Sequence, residues 1–142
     1  MATAILAFSC NKLPDEEPVT PQMADYLGTV TVRYQESDFD NENIEVNFAP
    51  DEDGKTASIT LYKIRFVPQM PVTIDVTIPN VSLSTSGSVI SLSCDNVIPL
   101  AMGGEYPRYT VKDLSGELKD GELSFSLLFG DYPTSFRGVK IQ

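Results

Sequence analysis

Apolar and polar residues alternate along most of this chain with a period of two. Val30, Val32 and Tyr34 share one face of the segment Tyr26–Tyr34. Ile44, Val46 and Phe48 make the next run, and Asp51-Glu52-Asp53-Gly54 then reads as a turn, because Asp-Gly accepts positive φ cheaply. Thr56–Val67 begins with Ile59 and Leu61 on one face and then changes phase, so that Tyr62, Ile64 and Phe66 carry the pattern. Such a slip predicts a bulge or a bend. Ile74, Val76 and Ile78 form a strand expected to end at Pro79, and Ser84–Gly87 is a turn before the strand Val89–Cys94. Pro99–Pro107 reads as a Gly-rich loop hinged at Gly103-Gly104, after which Tyr109 and Val111 open another strand. Lys119-Asp120-Gly121-Glu122 is a turn, and Leu123, Phe125, Leu127 and Phe129 form the clearest alternating strand. Phe136–Ile141 closes the series.

No segment keeps a helical period over ten or more residues. Short strands with regular turn signals predict an all-β domain. Sequential hairpins favour an antiparallel, mostly up-and-down eight-stranded β-barrel, since closure removes exposed strand edges. A two-sheet β-sandwich is the alternative. Its immunoglobulin form is disfavoured, because the chain has no Trp and only Cys94 within the domain. Phe48, Phe66, Leu92, Phe125, Leu127 and Phe129 can all point inward, which predicts a filled interior.

The N-terminus reads differently. Met1–Cys10 is a short apolar run ending in Ser9 and Cys10, the shape of a lipoprotein signal with Cys10 as the lipidated residue. No Lys or Arg precedes Cys10, and the run is too short to span a bilayer. The expectation is therefore that the true start lies upstream and that residues 1–9 are the remnant of a signal peptide. Residues 10–25 follow as a flexible, acidic, Pro-rich tether. The domain proper is expected over 26–142. Asp15, Glu16 and Glu17 behind the cysteine resemble a surface-export signal.

Charge and composition then narrow the chemistry. A net charge of −10 repels nucleic acid and anionic headgroups, so nucleic-acid binding is not expected. The absence of histidine removes Ser-His-Asp and Cys-His catalysis and His-ligated zinc. If Cys10 is acylated, Cys94 has no disulfide partner. It shares a face with Ile90 and Leu92 and is expected to pack as a small core hydrophobe beside Asp95, not as a nucleophile. Most carboxylates sit in apparent turns, Asp38, Asp40 and Glu42 in one and Asp51 and Asp53 in another, where they make poor general acids. Asp75, within the strand Thr73–Ile78, is the most interesting single acid, and it is expected on the solvent face because Ile74, Val76 and Ile78 take the other. Asp38–Asn43 begins like a calcium loop, but Asn43 stands where the turn glycine belongs and no distal Glu completes it. A polar hairpin loop is expected instead. No catalytic site, metal or cofactor is expected. Tyr106, Tyr109 and Tyr132, braced by Pro107 and Pro133, are the candidate contact residues for a ligand or partner, or else cap a barrel end.

The segments Tyr26–Val32, Tyr62–Phe66, Gly116–Leu123 and Phe136–Ile141 resemble the calycin-like, or lipocalin-like, β-barrel domain of small secreted lipoproteins from Gram-negative gut anaerobes. The resemblance spans about the whole of the mature domain. It implies a barrel with no catalytic motif. The function expected is that of a lipid-anchored binding module of the cell envelope, an outer-membrane lipoprotein facing the periplasm or the outside. Its partner would be a small apolar ligand or an envelope protein. The alternative is an accessory subunit of an outer-membrane protein complex with no small-molecule ligand.

Overall fold

A computed structural model describes residues 20–141. Ten antiparallel strands follow one another: β1 (Ala24–Tyr34), β2 (Ser37–Pro50), β3 (Thr56–Ile64), β4 (Ile74–Ser86), β5 (Val89–Cys94), β6 (Leu100–Ala101), β7 (Gly104–Glu105), β8 (Val111–Lys119), β9 (Glu122–Phe129) and β10 (Tyr132–Ile141). Eight of them close into a ring in the order β3-β2-β1-β10-β9-β8-β5-β4, with β4 returning to β3. The small β6–β7 hairpin is attached to β4 outside the ring. The domain is therefore a closed up-and-down barrel with two extra strands, and a two-sheet sandwich is excluded.

The inward faces follow the period of two. Phe48, Phe66, Leu92, Phe125, Leu127 and Phe129 are all buried, as the alternation predicts. Eight strands enclose a space that side chains can fill, and here they fill it. The ring closes tightly where Gly28 of β1 faces Gly138 of β10. A Cβ on Gly28 would overlap the Arg137 carbonyl, and the Phe136 ring occupies the space a Cβ on Gly138 would take. Only glycine lets the two backbones approach this closely.

Four bulges bend the wall. Each contains one non-glycine residue at positive φ: Asn43 in β2, Lys63 in β3, Asn80 in β4 and Asp113 in β8. Asn and Asp tolerate this region, whereas Lys63 at φ 60° is held there at a cost. Carboxylates secure two of the four. Asp75 Oδ1 accepts the Lys63 N–H at 2.9 Å, and Asp95 Oδ1 accepts the Asp113 N–H at 3.1 Å. The Lys63 bulge is the phase slip legible after Leu61.

Several local expectations are corrected. Asp38–Asn43 is not a hairpin loop. The turn lies at Gln35–Glu36, and β2 starts at Ser37. Exposed Asp38 and Asp40 pair with Arg33 and Thr31 of β1, so the segment is polar because it is the outer face of a strand. Asn41 instead points inward. Its Oδ1 accepts the Arg65 N–H at 2.9 Å, and its Nδ2 donates to the Arg65 carbonyl at 3.0 Å. The β2–β3 ladder stops at Val46 and Leu61, so this one amide joins the two strands beyond the break. Next, β4 does not end at Pro79. It runs on to Ser86, because Pro79 and Asn80 form the bulge opposite Ser58, where no ladder N–H is required. The following turn is Gly87–Ser88. The stretch 99–107 is not a plain loop, since it contains the β6–β7 hairpin, and Tyr109 lies in a 3-10 turn and not in a strand.

Replacing Asn41 with Ala orphans the Arg65 N–H and C=O, and unmade bonds of this kind cost about 1–3 kcal/mol each. Asn41→Ala is expected to lower unfolding free energy by about 2–3 kcal/mol, measured by chemical denaturation at unchanged slope. Lys63→Gly removes the left-handed strain and is expected to raise the unfolding free energy by about 0.5–1 kcal/mol, read as a higher denaturation midpoint.

Candidate functional site

Strand alternation sorts the connections to two ends. The turns at 35–36, 65–73, 95–110 and 130–131 lie at one end, and the start of β1, the end of β10 and the remaining turns lie at the other. The first of these ends is aromatic. Phe66, fully buried just beyond β3, forms its floor. Tyr109 stacks on Phe66 with centroids 4.0 Å apart, and Phe129 meets it edge-on at 5.0 Å. Tyr132 lies parallel to Phe66 at 6.1 Å, and Tyr34 extends the group beyond Tyr132. Tyr106 joins through Tyr109 at 5.0 Å. The three tyrosines singled out from sequence therefore converge on one cluster. Each packs against the core while staying partly exposed, so they cap the barrel and present a surface together. The sequence places Tyr34 and Phe66 only on strand faces and not in this group, since a strand-end aromatic carries no signal of which end it reaches.

The backbone places these rings. Pro107 pre-sets the 3-10 turn, in which Tyr109 N–H donates to the Tyr106 carbonyl at 3.1 Å and Thr110 N–H to the Pro107 carbonyl at 3.1 Å. Tyr106 N–H donates to the Pro99 carbonyl at 2.9 Å. Gly130 adopts φ 58°, and a Cβ there would overlap the Arg108 carbonyl, so a glycine is required where the 3-10 turn crosses the β9–β10 turn.

Beside the aromatic end the β6–β7 hairpin stands off the barrel wall. Between it and the outer face of β3 and β4 runs an open groove of about 820 Å³, lined among others by Lys63, Asp75, Leu100 and Met102. The hairpin tip, Met102-Gly103, has positive φ at both residues. Methionine is an uncommon residue in that conformation, and here the residue is 65% exposed. Val72, Ile98 and Leu100 are also exposed apolar residues in neighbouring segments.

Other candidate chemistry takes structural roles. Asp75 is exposed, as expected, and its carboxylate holds the Lys63 bulge. Cys94 packs against the core, half-buried. Burial, and then the Asp95 charge, push its thiol up to about 11. Tyr109 is also raised above the ordinary phenol value, by burial first and then by Tyr106 and Tyr132, with Arg108 opposing. Among the described residues no three His, Cys, Asp or Glu side chains gather as a metal site, and no helix is long and apolar enough to cross a membrane. Cys10 lies outside the described residues.

Comparison with known proteins found no matching family model, no matching curated protein and no matching solved structure. The class that the chain itself defines is the closed eight-stranded antiparallel β-barrel, up-and-down in topology and capped at one end by aromatic rings.

The raised thiol has a checkable consequence. In the full chain carrying Cys10→Ser, alkylation of Cys94 by iodoacetamide is expected to rise with a midpoint near 11 when folded, and near the ordinary cysteine value of about 8.5 in denaturant. The unfolded chain releases this proton first, so the thiol's contribution to stability falls as pH rises between those two values.

Proposed function

We propose that this barrel is a non-catalytic binding module of the cell envelope, anchored by lipid at Cys10 and docking an envelope protein at its aromatic end. The observation that carries the reading is the convergence of Tyr106, Tyr109 and Tyr132 over Phe66, beside a hairpin that exposes Leu100 and Met102. Clustered tyrosines with a projecting apolar tip suit a protein contact, in which rigid aromatic anchors contribute most of the binding energy. The filled interior favours a surface contact over carriage of a small apolar ligand inside the barrel. The closed barrel is consistent with the calycin-like resemblance. The apolar run ending at Cys10 and the polar segment behind it support attachment as an outer-membrane lipoprotein. The alternative reading, an accessory subunit of an outer-membrane protein complex without a small-molecule ligand, shares this docking face.

The test is site-specific photocrosslinking in the native envelope. Benzoylphenylalanine at Met102 or Tyr106 is expected to give one discrete protein adduct, and the same group at Lys119, at the far end, none. Equal or absent adducts at all three positions would sink the docking reading. Labelled fatty acid incorporated by the wild-type chain and lost in Cys10→Ser would support the anchor, and no incorporation would remove it.

A further inference from the structure

The other end of the barrel carries a recess of about 450 Å³, far from the aromatic cluster. It is bounded by Ala24 and Tyr26 of β1, Ser88 and Ile90 at the start of β5, Leu118 of β8 and Lys140 of β10, with Asp120 and Gly121 at the turn. Strands β1 and β5 stand on opposite sides of the ring, so the recess spans the mouth of the barrel. Thr20 and Gln22, leading into β1, form part of its rim, and Pro21 lies over Gly54 of the neighbouring turn. The Lys140 N–H donates to the Gly121 carbonyl at 2.8 Å and fixes the turn against β10.

The floor holds an unusual group. Tyr26 is only 3% exposed and lines the recess, yet among the described residues its hydroxyl forms no hydrogen bond. Asn41 and Thr134, the buried polar side chains elsewhere, are both bonded. Burial raises the Tyr26 phenol above its ordinary value. A hydroxyl withdrawn from water without a partner is costly, so a molecule in the recess that bonds to it is favoured.

We propose that this mouth binds a neutral polyhydroxylated ligand, one or two sugar rings in size, hydrogen-bonded to the Tyr26 hydroxyl. The lining selects this class. Thr20, Gln22 and Ser88 offer neutral donors and acceptors, and Asp120 and Lys140 add one charge of each sign. Ile90 and Leu118 give apolar surface for the C–H faces of a ring. A purely apolar ligand would leave the Tyr26 hydroxyl unpaired. An anion would be repelled by the net charge of −10. The volume falls within the common range for small-ligand sites. This site is independent of the docking face, and either can fail without the other.

The experiment is an amide-resolved NMR titration of the full chain with glucose, galactose, maltose and lactose, repeated on Tyr26→Phe. At least one sugar is expected to shift Ser88, Ile90, Leu118 and Gly121 while leaving Met102 and Tyr106 in place. Tyr26→Phe is expected to weaken that binding tenfold or more and to leave the thermal midpoint equal or higher, because it deletes a hydroxyl that has no partner among the described residues. Three results would overturn the proposal: no shift at the terminal end with any of the four sugars, wild-type affinity in Tyr26→Phe, or a lower midpoint in that variant without ligand, which would mean the hydroxyl already has a partner.

Discussion

The pairing of β1 with β10 is the contact on which the rest of the structure depends. It runs in register from Asp25 opposite Ile141 to Val32 opposite Thr134 and joins the first strand to the last. Without it the chain would be an eight-stranded meander with two long unpaired edges, open to association with other chains. With it, the strands of the ring have neighbours on both sides, and the inward side chains enclose one core. The close approach at Gly28 and Gly138 makes that seam tight, since any side chain there would push the first and last strands apart.

Closure also imposes curvature, and the curvature is supplied at bulges. A bulge leaves a backbone group without its ladder partner, and short polar side chains meet that need. Asp75 and Asp95 each take the N–H of a bulge residue, and Asn41 takes both backbone groups of Arg65 where β2 and β3 part. Carboxylates that could be read as candidates for chemistry are thus engaged in holding the wall. The same geometry explains the strain at Lys63, whose backbone must turn the corner although its side chain is poorly suited to it.

The two ends of the barrel then differ in kind. One is stoppered by stacked rings with a projecting hairpin beside it, a firm surface with apolar points. The other is a shallow mouth with a polar rim over a buried hydroxyl. Alternation of up and down strands produces this division, because every second connection returns to the same end. A contact at one end and a ligand at the other can therefore coexist with little interference through the packed core.

The alternation of residues determined the fold class, the filled core and the hairpins at Asp53-Gly54 and Asp120-Gly121, because period and turn chemistry are local properties of the chain. It also marked Tyr106, Tyr109 and Tyr132, since Tyr106 and Tyr132 each precede a proline and Tyr109 follows Pro107 by two residues, close to the Gly103-Gly104 hinge. It misread Asp38–Asn43 as a loop, because a bulged strand with a polar outer face has the composition of a turn. It stopped β4 at Pro79, because the sequence does not show that the residue facing it leaves the ladder there. Only the tertiary structure decided that Phe66 lies beneath the three tyrosines, that Asn41 turns inward to clasp Arg65, and that Tyr26 is buried beneath a recess. Each of these depends on which distant strand arrives alongside, and that is set by closure of the ring and not by any neighbouring residue.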